Sequence, residues 1–233
     1  VFINGTNTVR LCKKYDVPVI YRLLDIYHKL RGDLKIMIPL YFGEKFIYKN
    51  ADYVCLTNEV MSKYVEKMAG KRMDKQLRVL HHGVDTDFFQ PVKKNSLLLD
   101  KFNFSIDDKI IVFVGTIYTF SGLDVLLKAF PDLKKQIPRL KFIIVGGGDL
   151  EPELKNLVNN LFLEKEVILT GFRSYEEVPN LISCADVTVL PFFINDVTRD
   201  IIPIKVLQYL ACKKPVVAAP LPDLMRMFPE KQS

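Results

Sequence analysis

The segment 191–215, PFFINDVTRDIIPIKVLQYLACKKP, carries the densest set of side chains able to act on a ligand. A polar stretch presents Asp196, Arg199 and Asp200, and Pro203 then stands where proline favours a helix start. Lys205 falls in the first turn of that helix. A cation there opposes the helix dipole and costs a little unless an anion meets it. A bound diphosphate would be such an anion; the plainer alternative is a solvated lysine at a helix start. Two glycine-bearing loops add to this. Gly146-Gly147-Gly148-Asp149 joins an apolar run to a helical pattern, so its backbone N–H groups can approach an anion at a helix N-terminus. A tight turn capped by Asp149 explains the same residues equally well. No Gly-Lys-Ser/Thr follows, which excludes a Walker A loop, and Glu151 stands where a dinucleotide fingerprint needs its third glycine. The loop 115–122, GTIYTFSG, is bracketed by two glycines that let backbone pass close to a ligand, or close a plain turn. His81-His82 invites a metal reading, but only His28 accompanies them and no HxxxH spacing occurs, so no metal site is expected.

These loops need a frame. Residues 109–114, 141–145, 166–170, 186–190 and 215–218 read as short β-rich strands, alternating with helical patterns over 122–135, 150–162, 174–183 and 203–212. Such alternation predicts a parallel, doubly wound sheet. Its ligands sit beyond the carboxyl ends of the strands, where Gly115, Gly146, Gly171 and Pro191 fall. The first part also reads as α/β. A helix is expected over 4–15, a buried strand over 17–23, and strands over 51–56 and 77–80. Residues 29–49 have helical spacing interrupted by Pro39, which predicts a kink or two helices. Thr57 or Asn58 is placed to cap the helix after the second strand. Periodicity is lost over 83–94, GVDTDFFQPVKK, which reads as a connector, with a domain boundary near residue 91.

The 233 residues include 49% hydrophobic and 26% charged residues, which excludes disorder as the main state. No apolar run is long enough to span a membrane. Cys12, Cys55, Cys184 and Cys212 form no CxxC pair, so a structural zinc site is not expected and a reducing, cytoplasmic compartment is. The net charge of +6 is uneven: residues 1–90 hold 15 Lys and Arg against 10 Asp and Glu, and the remainder 18 against 17. A nucleic-acid surface, an anionic membrane surface, an acidic substrate or a merely solvated face would each account for the excess.

Taken in order, the motifs resemble those of the family 4 glycosyltransferases. Residues 80–91 (LHHGVDTDFFQP) are similar to the family's NGVDxxxFxP hinge, and 113–116 (FVGT) with 121–124 (SGLD) to its FVGRLxxxKGLD loop. Residues 145–149 (VGGGD) are similar to VGGGP. Gly171-Phe172, 185–187 (ADV), 189–191 (VLP) and 211–217 (ACKKPVV) continue the series, and the resemblance covers about residues 15–225. It implies a GT-B fold of two Rossmann-like domains with the nucleotide sugar between them. Residues 1–91 would be the back part of the acceptor-side domain and 92–233 most of the donor domain. The front strands of one and the final helices of the other are expected outside this sequence, in keeping with a first residue that is Val.

The resemblance also assigns roles. The family's diphosphate-binding Arg and Lys fall on Thr116 and Ser121, with loss of both charges. Its Glu-x7-Glu pair falls on Asp200, which would steady the sugar, and Gln208, which would hold the ribose through an uncharged amide. Its acceptor-side His falls on Leu24, followed by Asp25, with His28 four residues on. A Pro-x-Lys-x-x-Glu-Tyr variant known in the family is similar to 203–209, which makes Lys205 the replacement diphosphate cation, with Arg199 behind it. Gly115, Gly146, Gly147 and Ile204 would line the donor, and the backbone of 171–173, with Phe172 and Arg173, the base. The implied reaction is transfer from a nucleoside diphosphate sugar to a hydroxyl acceptor, retaining, without metal or other cofactor. The acceptor would be a glycan or lipid-linked glycan, at the inner face of a membrane, in polysaccharide or glycolipid synthesis. Nucleic acid is not an expected partner. The altered Arg, Lys, Glu and His positions leave open a non-catalytic relative that binds a nucleotide sugar or a partner subunit. A sugar-nucleotide epimerase of the same fold is a third reading.

Overall fold

A computed structural model describes residues 2–24, 26–30, 33–199 and 201–228. The chain divides into two compact units. The first comprises Val1–His82, Asn195–Ile202 and Pro222–Ser233, and the second Gly83–Ile194 and Pro203–Leu221. A single cut near residue 91 therefore does not describe the organisation: the connector belongs with the second unit, and two later segments return to the first.

In the first unit the order is α1 (Phe2–Lys14), β1 (Ile20–Arg22), a 3-10 turn at Tyr27–Leu30, α2 (Leu34–Asn50), β2 (Tyr53–Leu56), α3 (Val60–Ala69) and β3 (Leu77–Val79). The three strands are parallel in the order β1-β2-β3. The strand expected over 17–23 is shorter and less buried than its apolar sequence predicts: Ile20 is 69% exposed, because among the described residues β1 pairs on one side only. Pro39 lies inside a single α-helix, not at a break. Its missing N–H removes one bond, yet α2 persists because Glu44, Ile47 and Tyr48 are buried in the unit's core with Leu23, Val54, Leu56 and Val65. Tertiary burial outweighs local propensity here. Asn58 is the capping side chain expected before α3, its Oδ1 accepting from the Met61 N–H at 3.0 Å.

In the second unit the short α4 (Ser96–Asp100) precedes β4 (Lys109–Val114), α5 (Leu123–Gln136), β5 (Leu140–Val145), α6 (Glu151–Asn160) and β6 (Val167–Leu169). Then come α7 (Val178–Ser183), β7 (Val187–Leu190), α8 (Ile204–Ala211) and β8 (Val216–Ala218). A 3-10 turn at Tyr175–Glu177 replaces the start of the helix expected from residue 174, where Ser174 and Glu177 cap each other. α9 (Pro222–Met227) follows and belongs to the first unit. The five strands are all parallel in the order β6-β5-β4-β7-β8. β4 is apolar over Ile110–Val114 and β5 over Phe142–Val145 because both faces of the sheet are covered there, as parallel sheets require. The chain leaves β4 toward β5 on one side and returns as β7 on the other. That reversal opens a crevice at the carboxyl end of the sheet, between β4 and β7, where α/β folds bind ligands.

Gly146 ends β5 with φ +130°, and a Cβ there would meet the carbonyl of Gly115 across the strand ends. Gly146→Ala is expected to lower the stability of the second unit by about 2 kcal/mol or more, since it adds backbone strain to a steric overlap. Urea unfolding midpoints of wild type and variant measure the difference.

Candidate functional site

The carboxyl edge of the five-stranded sheet is built by close approach of backbone to backbone. Gly115, Gly146, Gly171 and Pro191 all follow strands at this edge, as the alternation of elements predicts. Gly122 has φ +64°, and a Cβ on it would strike the carbonyl of Pro191. A Cβ on Gly148 would strike the carbonyl of Ile117, whose N–H donates to the Gly147 carbonyl at 3.0 Å. Gly146 donates to the carbonyl of Gly171 at 3.0 Å. The glycine run thus holds loops 115–122 and 146–149 together. This is a packing reason, and it favours the tight-turn reading of these glycines.

Lys205 stands at the centre of this edge. Tyr209, one turn further along α8, is fully buried, and its Oη accepts from the Val114 N–H at 2.8 Å. That bond ties α8 to the end of β4. It brings the Lys205 ammonium over the rings of Phe113 and Phe192, with Nζ 5.0 and 4.8 Å from the ring centroids. Nζ also lies so close to Gly115 that a Cβ there would overlap it. No carboxylate pairs with Lys205 among the described residues. Burial alone moves its amine from the ordinary lysine range down to about 8. Against the alternative of a solvated lysine, the side chain is half-buried over aromatic rings, which offset part of the lost hydration through cation–π attraction.

Charge separates α8 from its neighbours. Asp124 stands in the first turn of α5, and Glu151 and Glu153 in that of α6. These carboxylates already complement their helix dipoles, with Lys128 at 3.1 Å from Asp124 and Lys155 at 2.7 Å from Glu151. The first turn of α8 carries no acid and one half-buried cation. Of these three helix starts it alone has a positive potential left for an anion.

The remaining site candidates divide. Thr116 is half-buried beside Gly115 and brings no charge. Ser121 is fully buried, and its Oγ donates to the Tyr118 carbonyl at 2.6 Å, so it closes the loop rather than facing a ligand. Ile204 is exposed at the start of α8 and Gln208 half-buried one turn on. Phe172 is 74% exposed, and its ring lies against Gly147, a flat apolar surface at the same edge. The Arg173 guanidinium is 3.9 Å from Glu177. Arg199 belongs to the first unit, exposed and 4.0 Å from Asp196. Asp200 lies outside the described residues. Gly115, Gly146, Gly147, Phe172 and Lys205 are therefore brought to one edge, whereas Arg199 is not counted among them. Phe113, Phe192 and Tyr209 were not marked as site residues by the sequence. Their signal was positional: two of them abut Gly115 and Pro191, and the third follows Lys205 by one turn.

In the first unit, Leu24 is 37% exposed and His28 sits in the 3-10 turn. The His28 Nδ1 is 2.9 Å from Glu44, a fully buried carboxylate that also accepts from Tyr64 at 3.1 Å and from the His28 N–H at 3.2 Å. Burial first, and this carboxylate second, push the Tyr64 and Tyr48 phenols above their ordinary range. Among the described residues no three His, Cys, Asp or Glu side chains cluster as a metal site needs.

A doubly wound parallel sheet with a glycine-built carboxyl edge and a cation at a helix start there defines an α/β protein of the kind that binds its ligand beyond the strand ends. Residues 97–231 match the family described as Glycosyl transferases group 1, and the chain belongs to that family. It is 26% identical over 212 residues to the putative glycosyltransferase EpsD of Bacillus subtilis, covering 90% of this chain and 53% of EpsD. It is 24% identical over 196 residues to an uncharacterized glycosyltransferase of Methanocaldococcus jannaschii, covering 82% of this chain and 47% of that protein. The chain thus spans about half the length of these relatives. Anabaena HepE, in a crystal structure with UDP and glucose, superposes with a TM-score of 0.76 at 18% identity, over 99% of this chain and 60% of HepE. Sucrose-phosphate synthase of Thermosynechococcus elongatus gives 0.72 at 21% identity, over 97% and 56%. At these identities the likeness shows the fold.

The Lys205 amine titrates lower in the folded than in the unfolded state, so the unfolded chain binds the proton more readily. Stability lost to this effect is missing throughout below about pH 8 and returns as pH rises through 8 toward the ordinary lysine value of 10.5. Lys205→Met is accordingly expected to raise the melting temperature at pH 7 by a few degrees. Calorimetry of the two proteins without ligand checks this; a lower melting temperature in the variant would contradict an unpaired buried charge.

Proposed function

We propose that the protein transfers a glycosyl group from a nucleoside diphosphate sugar to a hydroxyl acceptor. The observation that carries this reading is the Lys205 ammonium, half-buried against Phe113 and Phe192 without a carboxylate among the described residues, at a helix start with no acid in its first turn. As the glycosidic bond breaks, negative charge grows on the leaving diphosphate. A cation and free backbone N–H groups fixed there beforehand stabilise that charge more than they stabilise the intact donor. Lys205 and the first turn of α8 supply both. Thr116 and Ser121 leave the neighbouring loop uncharged, so Lys205 bears the task alone. Phe172 offers its exposed face to the base, Gln208 an amide to the ribose, and Asp200 a carboxylate to the sugar. The crystal structures of HepE with UDP and UDP-glucose support a nucleotide sugar as the donor.

The finer parts of the reading follow the family resemblance. Transfer retains configuration, with the diphosphate charge met by protein groups rather than a metal ion. The acceptor is a glycan or lipid-linked glycan in polysaccharide or glycolipid synthesis. The positive excess of residues 1–90 suits the anionic cytoplasmic face of a membrane, to which the protein binds peripherally. No helix among the described residues is long and apolar enough to cross one. A non-catalytic relative is favoured by the uncharged Thr116 and the inward Ser121. Turnover of a nucleotide sugar with a glycan acceptor separates the two.

Titration calorimetry with UDP and GDP tests the donor site. At least one is expected to bind, and Lys205→Ala to weaken it about tenfold or more, the scale of a hydrogen bond to a charged group. Affinity should fall as pH rises above about 8, where the free amine loses its proton. Lys205→Arg, which keeps its charge, should flatten that dependence. Equal affinity in wild type and Lys205→Ala would remove the proposed cation.

A further inference from the structure

The first unit turns an apolar helix face to solvent. In α2, Leu34, Ile38 and Phe42 recur every four positions, so they share one face, and Lys45 and Lys49 continue it toward the helix end. Leu34, Ile38 and Phe42 are 66%, 54% and 62% exposed, and Lys35, Lys45 and Lys49 are exposed with them. A helix on the surface of a globular domain normally does the reverse, burying its apolar stripe and presenting mixed charges outward. In α2 the inward side is already supplied by Ile47 and Tyr48, and Glu44, the one acid within the helix, is used there on His28 and Tyr64. The outward apolar row has no part in the unit's core.

The charge around this row is nearly all of one sign. α1 contains no Asp or Glu, and it sets the exposed Arg10 guanidinium 5.2 Å from the Phe46 ring of α2. Asp33 brings a carboxylate to the start of α2, but it caps the helix, accepting from the Lys35 N–H at 2.8 Å. Apolar side chains among unpaired cations restrict what can cover them. Nucleic acid would meet the lysines with phosphates and leave Leu34, Ile38 and Phe42 in water. A second copy on a two-fold axis would set this face against itself, lysine toward lysine, with no acid on the face to answer. An anionic bilayer meets both needs, since its hydrocarbon boundary takes the apolar row and its headgroups take the cations. Leu34 to Phe42 spans about 12 Å along the axis, so the three side chains enter as a row with the helix lying in the interface. α2 follows β1, so its first turns lie on the carboxyl side of the three-stranded sheet and set that side toward the bilayer.

We propose that the outward face of α2 is the membrane-docking surface, with Leu34, Ile38 and Phe42 inserted into lipid and Lys35, Lys45, Lys49 and Arg10 on anionic headgroups. This deepens the peripheral-membrane reading by replacing a diffuse charge excess with one inserting helix; it does not require glycosyl transfer. The chain contains no tryptophan, so Phe42→Trp makes a single fluorescent reporter. With vesicles of phosphatidylcholine and phosphatidylglycerol, its emission is expected to shift to the blue and to be quenched by lipids brominated on their acyl chains. Phe162→Trp, at an exposed position of the second unit, should show neither change. In co-sedimentation the full chain should bind these vesicles at least fivefold more tightly than phosphatidylcholine alone, the scale of one basic side chain at an anionic surface. Leu34→Ser with Phe42→Ser should weaken binding about tenfold or more, the scale of one buried apolar side chain, and Phe162→Ser should leave it unchanged. Absence of vesicle binding, binding without a shift at Phe42→Trp, or equal binding by the double serine variant would overturn the proposal. So would a blue-shifted Phe42→Trp without lipid in a sedimenting dimer, which would assign the face to a second copy. If UDP and GDP fail to bind while the vesicle results hold, the donor reading falls and the docking surface stands. If a nucleotide binds and the vesicles do not, the reverse holds.

Discussion

The site depends on one unbalanced charge. Lys205 is held over Phe113 and Phe192, and desolvation, with no carboxylate partner among the described residues, works against its protonated form. A folded protein rarely keeps such an arrangement, because a charge drawn out of water without a paired partner is destabilising. The surrounding structure fixes it nonetheless. Tyr209 pins α8 to β4 through Val114, Gly115 leaves room for the ammonium, and Gly122 and Gly146 let the neighbouring backbones close around it. Stability given up at one point and restored by its surroundings is what sites prepared for an anion look like.

The two units treat buried charge in opposite ways. In the second, Lys205 has no carboxylate partner among the described residues. In the first, the buried Glu44 carboxylate has several: the His28 ring and N–H, Tyr64 and Tyr48. The first arrangement waits for a ligand's charge, whereas the second is complete and holds the turn after β1 against α2. The position that the resemblance gives to an acceptor-side histidine is taken by Leu24, and His28 is engaged by Glu44 instead.

Much of the second unit was legible. The short, β-branched apolar runs within 109–114 and 141–145, each followed by glycine, read as strands buried on both faces, and they mark β4 and β5 to within a residue. Lys205 was legible because a cation in a first helical turn needs a reason. What packs around it was not, since apolar periodicity cannot say which of sixteen phenylalanines lies under a given ammonium. Ser121 was misleading for a related reason: alignment to a cation position says nothing of whether the side chain turns inward to a carbonyl. In the first unit, sequence overstated the burial of β1, because strand propensity does not reveal which strand is at an edge. The return of segments 195–202 and 222–233 to that unit was likewise invisible, since contacts across so many residues leave no local pattern.

The central claim is that Lys205 is a partly desolvated cation awaiting a diphosphate. The direct measurement is its own titration, followed by heteronuclear NMR of the side chain with and without a saturating nucleoside diphosphate. The account predicts a midpoint near 8 in the free protein, moving upward by at least one unit when UDP or GDP binds. A midpoint in the ordinary lysine range, or one that binding leaves unchanged, would contradict it.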